Sequence, residues 1–304
     1  VAAETGTMVS AVLSQGEQVI RVAMITVGKF NEQGIHWQDL PVQLWYPNLE
    51  GEQPLYDLDI TLVDKSGNQL DWVRRKVGFR HVEWQMCEDS PEGADPWICV
   101  VNGNPLFLQG VNFPPVLPNF ADVPDEKYRK LLQQYHNLGM NVLRINACGY
   151  LESETFYNLC DQLGLFVWQE FPLTSSGVDN IPPDDPKSIS EMCEIAKSFI
   201  RRRQHHASLL LWSGGNELID LDGKPIGVEH PMLEALQNVV KEYDPGRRYI
   251  PASPSGPIAV VNEQYFGKGS HWDVHGPWQA PGTLEAWKQL WEKADALFYS
   301  EIGS

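Results

Sequence analysis

The sequence predicts an immunoglobulin-like β-sandwich over residues 1–92, followed by a (β/α)8 TIM barrel over residues 93–304. Up to about Trp84, polar and apolar residues alternate with a period near two, which is typical of half-buried antiparallel strands. Beyond that point, apolar strand-like runs alternate with segments whose apolar residues recur at i, i+3 and i+4, as in amphipathic helices. We count seven such strand-like runs and therefore expect a barrel truncated after its seventh strand.

The predicted sandwich is built from short strands separated by turns. Turn chemistry is clear in NLEGEQP and KSGNQ, where Gly, Asn and Pro interrupt the apolar pattern. No helical period is visible in this part of the chain, and the segment Met86–Asp95 has the Asp, Glu, Pro and Gly content of a linker. The predicted strands lie in QVIRVAMITV, DLPVQLWYP, LYDLDITLVD and RRKVGFRHVEW.

The predicted barrel alternates strands with helices in chain order. Helices are expected to start near Pro124 and Pro186, with Asp185 as an N-cap, and to end at glycines such as Gly139 and Gly164. A doubly wound open sheet is the alternative, but the first strand lacks the Gly-rich phosphate loop of that fold. The strand-like runs are PLFLQGVNF, NVLRINACG, LFVWQEF, SLLLWSGGNE, YIPASPS, HWDVHGPW and ALFYSEIGS.

Composition excludes several classes of partner. With 23 basic and 40 acidic side chains the chain has a formal charge of -17, which disfavours binding to nucleic acid or to an anionic membrane. The one basic run, RRRQHH at 201–206, is predicted at a helix C-terminus, where cations complement the helix dipole. No apolar run reaches the roughly 20 residues of a membrane helix. Localisation and oligomeric state are left open.

Five cysteines show no spacing typical of a zinc site. We interpret them mostly as small buried hydrophobic residues. A disulfide between Cys87 and Cys99 is left open, because sequence alone does not determine it.

Polar residues follow the predicted barrel strands at their C-terminal ends, where barrels place functional groups. Glu217 closes the fourth strand after LLLWSGGN, and Glu301 closes the seventh after ALFYS. The two glycines remove side chains at the end of the strand and present Asn216 and Glu217 at its mouth. Two facing carboxyl groups can cleave a glycosidic bond, one protonating the leaving oxygen and the other attacking the sugar carbon. The other strand-end candidates are Asn112, Arg144, Asn146, Trp168, Glu170, His275 and Trp278.

WSGGNE, followed far downstream by FYSEIGS, resembles glycoside hydrolase family 2. The likeness continues through LFLQGVNF, MNVLRINACGYLESETFYNLCDQLGLFVWQEF, PVQLWYPNLEGEQPLYDLDITL and VGFRHVE, so it covers most of the chain. Within the family the β-mannosidases and exo-β-glucosaminidases are the most similar branch, although RINACGY stands where their second-strand motif is Arg-x-Trp-Gly-Gly-Gly. The resemblance implies a retaining exo-β-glycosidase with a carbohydrate substrate, β-mannosides being favoured, and a two-carboxylate mechanism needs neither cofactor nor metal.

The resemblance also implies a role for each matched residue. Glu217 would be the general acid/base and Glu301 the nucleophile, with Asn216 binding the sugar 2-hydroxyl. Arg144 would lie beside Glu301 and keep it ionised, because a nearby guanidinium lowers the pKa of a carboxyl group. The sugar pocket would be shaped by Trp168, His275 and Trp278.

Other interpretations remain open at this stage. The activity could be that of an exo-β-glucosaminidase or another β-glycosidase of the family, or the chain could bind carbohydrate without catalysis. A metal-dependent hydrolase using His271, Asp273 and His275 is a third hypothesis, since HWDVH places these residues on one side of a strand. Because the predicted barrel is incomplete, we expect weak or no activity from this chain by itself.

Overall fold

The computed structural model describes residues 6–146, 150–174, 180–279 and 282–303. Its helices are α1 (Val27–Gln33), α2 (Asp125–Asn137), α3 (Glu154–Leu163), α4 (Pro186–Arg203), α5 (Pro231–Tyr243) and α6 (Leu284–Lys293). The strands of the N-terminal half are β1 (Met8–Gln15), β2 (Gln18–Thr26), β3 (Tyr56–Val63), β4 (Gln69–Val77), β5 (Val82–Gln85), β6 (Ile98–Val101) and β7 (Asn104–Leu106). The remaining strands are β8 (Gly110–Asn112), β9 (Val142–Ile145), β10 (Phe166–Glu170), β11 (Leu209–Ser213), β12 (Arg248–Ile250), β13 (Asp273–His275) and β14 (Phe298–Glu301).

An antiparallel sheet with the order β2-β1-β3-β4 forms the N-terminal region. Val9, Ala11 and Leu13 of β1 are buried while the residues between them are not, so the strand buries one face only. The turn between β3 and β4 is organised by Asp64, whose Oδ1 accepts hydrogen bonds from backbone N–H groups two and four residues on. The predicted strands QVIRVAMITV and LYDLDITLVD are confirmed as β2 and β3, whereas the predicted run RRKVGFRHVEW is divided between β4 and β5.

Two features of the N-terminal region differ from the sequence prediction. Helix α1 follows β2 directly, because the Thr26 side chain caps it by accepting a hydrogen bond from the backbone N–H of Lys29. The predicted strand DLPVQLWYP makes only an isolated bridge, between Leu44 and Phe79, within the described residues. Its two prolines lack the N–H donors that a ladder needs. Over residues 6–80 as described, the four-stranded sheet is therefore accompanied by α1 and by the extended segment DLPVQLWYP. The immunoglobulin-like topology stays a prediction.

A three-stranded antiparallel sheet, with the order β5-β6-β7, connects the two halves of the chain. Strand β5 lies before the predicted boundary at residue 92, whereas β6 and β7 lie after it. The segment predicted as a linker is thus a connection within one sheet. Hydrogen bonds between β5 and β6 thus connect the two sides of the predicted boundary. The division at 92/93 stays a prediction.

The barrel strands are parallel and follow one another in space as they do in sequence. The ladder runs β8-β9-β10-β11-β12, and β13 pairs in parallel with β14. A doubly wound sheet reverses its strand order part-way, so this sequential order favours the barrel interpretation. Within the described residues β8, β12, β13 and β14 each have a ladder partner on one side only, and truncation after the seventh strand stays a prediction.

The N-terminal region packs on the end of the barrel where its strands begin. Trp45 is fully buried, contacts Phe166 at the start of β10, and donates a hydrogen bond from Nε1 to the carbonyl of Asp161 at 2.8 Å. Arg80 donates to the carbonyl of Ala207, just ahead of β11, at 2.5 Å. These contacts cover the lower end of the barrel and leave the C-terminal ends of its strands accessible.

Two further expectations concern cysteines and membranes. In the described part of the chain Cys87 and Cys99 are both free thiols, so the disulfide left open above is not formed; Cys148 lies outside the described residues. Across the described ranges no helix combines the length and apolar character that crossing a bilayer requires.

Candidate active site

Arg144 is the centre of the polar cluster at the C-terminal ends of the barrel strands. Only 4% of it is exposed, and its guanidinium contacts carboxylates on two other strands. It lies 2.8 Å from Glu170 Oε1 and donates to Glu301 Oε2 at 3.0 Å. The same guanidinium donates to the side-chain carbonyls of Asn112 at 3.1 Å and Asn216 at 2.5 Å. One cation therefore fixes the positions of four side chains from different strand ends.

Glycines allow the chain to reach Glu217 after β11. A Cβ on Gly214 would lie 2.1 Å from the carbonyl oxygen of Pro251, and one on Gly215 would lie 2.3 Å from that of Leu173. Neighbouring backbones approach too closely there for any side chain, which explains the SGGN motif. Glu217 itself has a left-handed backbone with φ of 51°, a conformation that is costly for a residue with a side chain.

Hydrogen bonds hold Glu217 in this conformation. Its N–H donates to the carbonyl of Ser253 at 2.7 Å, and its carbonyl accepts from Asn180 Nδ2 at 2.8 Å. The adjoining Asn216 donates its N–H to the carbonyl of Leu173 at 2.9 Å. Strained backbone that is fixed from both sides is found most often at functional sites.

His275 lies between the two predicted catalytic carboxylates. Its Nδ1 is 3.2 Å from Glu217 Oε1 and 3.7 Å from Glu301 Oε2, while its Nε2 is 3.1 Å from Ser253 Oγ. Burial lowers the pKa of His275, outweighing the opposite effect of the neighbouring carboxylates. A neutral imidazole can thus donate a hydrogen bond between the two acids without placing a full positive charge there.

Glu301 is held by donors at both of its oxygens. Oε1 accepts from Trp278 Nε1 at 3.0 Å, and Oε2 accepts from Arg144. Burial acts to raise the pKa of Glu301, but the Trp278 hydrogen bond and the adjacent Arg144 guanidinium act to lower it, and the pKa lies below the ordinary value. The carboxylate is therefore ionised near neutral pH, the state that a nucleophile requires.

The two tryptophans predicted for the sugar pocket lie at different depths relative to the polar cluster. Trp278 is 45% exposed and contacts Glu301, so it lies on the open side of the cluster. Trp168 is only 2% exposed, and its ring lies beneath Arg144, 5.8 Å from the guanidinium carbon, and against Phe298. We predicted that Trp168 shapes the sugar pocket. In the structure it forms the barrel layer below the site, because it shares the inward face of β10 with Glu170. Asn146 is half-buried and directly follows β9.

Two family models match the chain over both of its regions. The model described as "Glycosyl hydrolases family 2, TIM barrel domain" covers residues 97–294, and the one described as "Glycosyl hydrolases family 2" covers residues 9–80. The chain belongs to glycosyl hydrolases family 2. Its relatives include the β-mannosidase of Rattus norvegicus, 28% identical over 79% of this chain and 28% of that protein, and the β-mannosidase of Mus musculus, 32% identical over 75% and 27%. The chain thus spans less than a third of the length of these curated relatives.

Solved structures of glycosyl hydrolases support the fold of this family 2 chain. The β-D-mannosidase of Dictyoglomus thermophilum is 25% identical with a TM-score of 0.70, covering 93% of this chain and 38% of that one. A β-glucuronidase from Ruminococcus gnavus, in complex with D-glucuronic acid, has a TM-score of 0.67 at 16% identity, covering 98% of this chain and 48% of that one. The second likeness concerns the fold alone.

Asp273 is a buried acid of this family 2 chain that sequence reasoning did not place in the carboxylate cluster. Its Oδ1 accepts a hydrogen bond from the N–H of Ser300 at 3.2 Å, whereas Oδ2 has no hydrogen-bond partner among the described residues. Burial raises the pKa of Asp273 to about 7, against opposing effects of Ser300 and Arg144. The signal that could have revealed it is the alternation of Asp273 with His275 in β13.

Asp273→Asn should remove part of the pH dependence of stability. A carboxyl whose folded pKa lies above its unfolded value favours the folded state below about pH 4, and this contribution is lost as the pH rises through about 7. We expect the substitution to raise the free energy of unfolding at pH 8 by up to about 4 kcal/mol, with little change at pH 4. Urea unfolding at both pH values measures this difference. Asp222→Asn, in an exposed turn, is the control; equal pH profiles for wild type and Asp273→Asn would contradict the assignment.

The metal-hydrolase hypothesis has no support in the geometry of this family 2 site. Among the described residues, two groups of His, Cys, Asp or Glu bring donor atoms close enough for a metal ion, and neither contains His271 or Asp273. His271 instead pairs with Asp295 at 2.7 Å through Nδ1 and accepts from the N–H of Asn262 through Nε2. Its two ring nitrogens are thus occupied by other partners.

Proposed function

We propose that the protein is a retaining exo-β-glycosidase that uses Glu217 as general acid/base and Glu301 as nucleophile. The observation that supports this most directly is a distance: one carboxylate oxygen of Glu217 and one of Glu301 lie within 4.8 Å of each other. Retaining glycosidases hold their two carboxyl groups about 5–5.5 Å apart, whereas inverting enzymes separate them by about 6.5–9.5 Å to admit a water molecule. An approach of two oxygens within 4.8 Å fits the spacing of a retaining enzyme and so supports double displacement.

In the first step the ionised Glu301 attacks the anomeric carbon while Glu217 donates its proton to the departing glycosidic oxygen. The bond to the aglycone breaks as the ester bond to Glu301 forms, and the aglycone leaves as a neutral alcohol. In the second step Glu217, now ionised, takes a proton from water, which attacks the same carbon and releases Glu301. The product sugar keeps the β configuration.

Arg144 supports Glu301 and Asn216 in this proposal. Its direct contact stabilises the ionised Glu301. By accepting from Arg144, the side-chain carbonyl of Asn216 is fixed in one orientation, which makes Nδ2 the donor; Nδ2 donates to Thr174 Oγ1 over a long 3.4 Å. A donor at that point can bind a sugar 2-hydroxyl, an interaction that strengthens in the transition state.

β-Mannosides are the substrate we favour, because the curated relatives of Rattus norvegicus and Mus musculus and the solved relative of Dictyoglomus thermophilum are all named as mannosidases. The identities of 25–32% leave other β-linked sugars as alternatives within the same mechanism. Carbohydrate binding without catalysis is disfavoured because simple sugar recognition does not need two carboxyl groups this close together with the pKa of one of them lowered.

A panel of aryl β-glycosides tests the proposal: mannoside, glucoside, galactoside, glucuronide and glucosaminide. We expect release of the aryl group from the mannoside, with β-mannose as the first product detected by NMR. The assay is run on this chain and on a longer protein that contains it, which also checks the expectation that this chain alone is weakly active. First release of α-mannose would exclude retention, and sugar binding without release of any aryl group would favour a binding protein.

A further inference from the structure

A second cluster of metal-binding side chains lies on the outside of the barrel. Glu154 is the first residue of α3, and His205 and His206 form the turn between α4 and β11. His205 Nε2 is 3.4 Å from Glu154 Oε1, and His206 Nε2 is 3.7 Å from the same oxygen. None of these residues contacts the Arg144 cluster, so the proposed glycosidase mechanism does not account for them.

Both histidine nitrogens lack a hydrogen bond in the described part of the chain. The Nε2 atoms of His205 and His206 are buried, and only 1% of His206 is exposed. Their distances to the Glu154 oxygen exceed the roughly 2.7–3.2 Å of a good hydrogen bond. Buried polar atoms without partners are rare in folded proteins and require an explanation such as a bound ion.

Asp161 orients His206 as metal-binding histidines are usually oriented. His206 Nδ1 is 2.7 Å from Asp161 Oδ2, both side chains are fully buried, and the other oxygen of Asp161 accepts from the N–H of Ser208 at 2.7 Å. A carboxylate that accepts from Nδ1–H leaves the lone pair of Nε2 free to bind a metal.

We propose that Glu154 Oε1, His205 Nε2 and His206 Nε2 bind a divalent transition metal ion, with Zn²⁺ as the best match. Two imidazoles and one carboxylate are a donor set typical of zinc, with a fourth position left to water. Ligands about 2.0–2.1 Å from a tetrahedral ion lie roughly 3.3–3.5 Å from one another. The separations of 3.4 and 3.7 Å from Glu154 Oε1 are close to this spacing, and a ring nitrogen of each histidine lies within 4.8 Å of one in the other.

The exposure of Glu154 and its contact with Arg203 determine how a metal ion can reach this site and what it would do there. The Glu154 side chain is 44% exposed, which provides an entry path and room for a water ligand. Arg203 binds the other oxygen of Glu154 at 2.5 Å, so Oε1 stays directed at the histidines. The bound ion would tie the start of α3 to the end of α4, and its role would be to stabilise the fold.

Metal titration of chelator-treated protein tests this proposal. Calorimetry with Zn²⁺ and visible absorption with Co²⁺ should both show one ion per chain, with the Co²⁺ bands of a tetrahedral site. His205→Gln should weaken binding about 100-fold or more, since one of three protein ligands is lost, and should abolish the rise in Tm that Zn²⁺ causes in wild type. Glu154→Gln is the second ligand variant.

Two controls separate this site from others. His81→Gln removes an exposed histidine that also lies near a glutamate and should bind metal as wild type does. Because His275 and the catalytic carboxylates also bring donor atoms together, the titration is repeated with Glu301→Gln, which should still bind one ion at this site. Wild-type affinity in folded His205→Gln, or no binding to wild type at 1 mM metal, would overturn the proposal.

Discussion

Glu301→Gln should lower kcat on an aryl β-glycoside by about 10⁵-fold or more, the scale of loss when a covalent nucleophile is removed. Gln keeps the shape of the side chain and can still accept from Arg144, which donates to Glu301 Oε2 at 3.0 Å in the wild type. It cannot form the glycosyl ester, because a neutral amide is a poor nucleophile. Steady-state rates measured with the purified variant give the result.

A matched control and a rescue make this test specific. Glu285→Gln makes the same chemical change at an exposed position in the first turn of α6 and should leave kcat unchanged. Azide added to Glu301→Ala should restore part of the rate and yield an α-glycosyl azide, since the small anion attacks from the side vacated by the carboxylate. A rate for Glu301→Gln within tenfold of wild type would rule out Glu301 as the nucleophile.

Arg144→Met should destabilise the fold by about 3–5 kcal/mol, because it leaves buried carboxylates without their cation. The ion pair with Glu170, at 2.8 Å, is almost completely removed from water, and Glu301 loses a donor at the same time. Activity should fall as well, since the pKa of Glu301 rises when its guanidinium partner is removed. Denaturant unfolding and the acidic limb of the kcat/KM profile measure the two effects.

Two comparisons test whether the uncompensated buried charge causes the loss of stability in Arg144→Met. Arg74→Met breaks an ion pair with Asp59 on the exposed face of the N-terminal sheet and should cost no more than about 1 kcal/mol. Adding Glu170→Gln to Arg144→Met should recover part of the lost stability, because one uncompensated charge disappears, while activity stays low. Equal losses from Arg74→Met and Arg144→Met would show that burial of the pair does not matter.

Much of the barrel and the two carboxylates of the candidate site could be predicted, because both are encoded locally. Each barrel strand is a short apolar run, and the residue that follows it stands at the C-terminal end by necessity. Glu217 and Glu301 were found in this way, and the close approach of neighbouring backbones explains the glycines before Glu217. The contact between Arg144 and Glu301 spans 157 positions, so its prediction depended on family resemblance and not on any local pattern.

Other features depend on how deep a side chain lies in the barrel and on partners that are distant in the chain. A linear sequence pattern gives neither. Trp168 and Glu170 point to the same side of β10, yet one lies in the core and the other in the polar cluster, since the level within a barrel is set by the surrounding strands. Helix α1 was missed because seven residues are too few for a helical period to emerge. The pairing of His206 with Asp161 joins two segments 45 positions apart.

The sheet formed by β5, β6 and β7 limits how this protein can be divided for expression. A barrel fragment that begins at residue 93 would lack β5, and the backbone groups of β6 that now pair with Val82–Gln85 would become an open edge. Open edges recruit strands from other molecules, so such a fragment would tend to aggregate whatever the quality of its active site. Residues 82–106 should be kept together in any expressed fragment, and the same holds for any recombination of the gene.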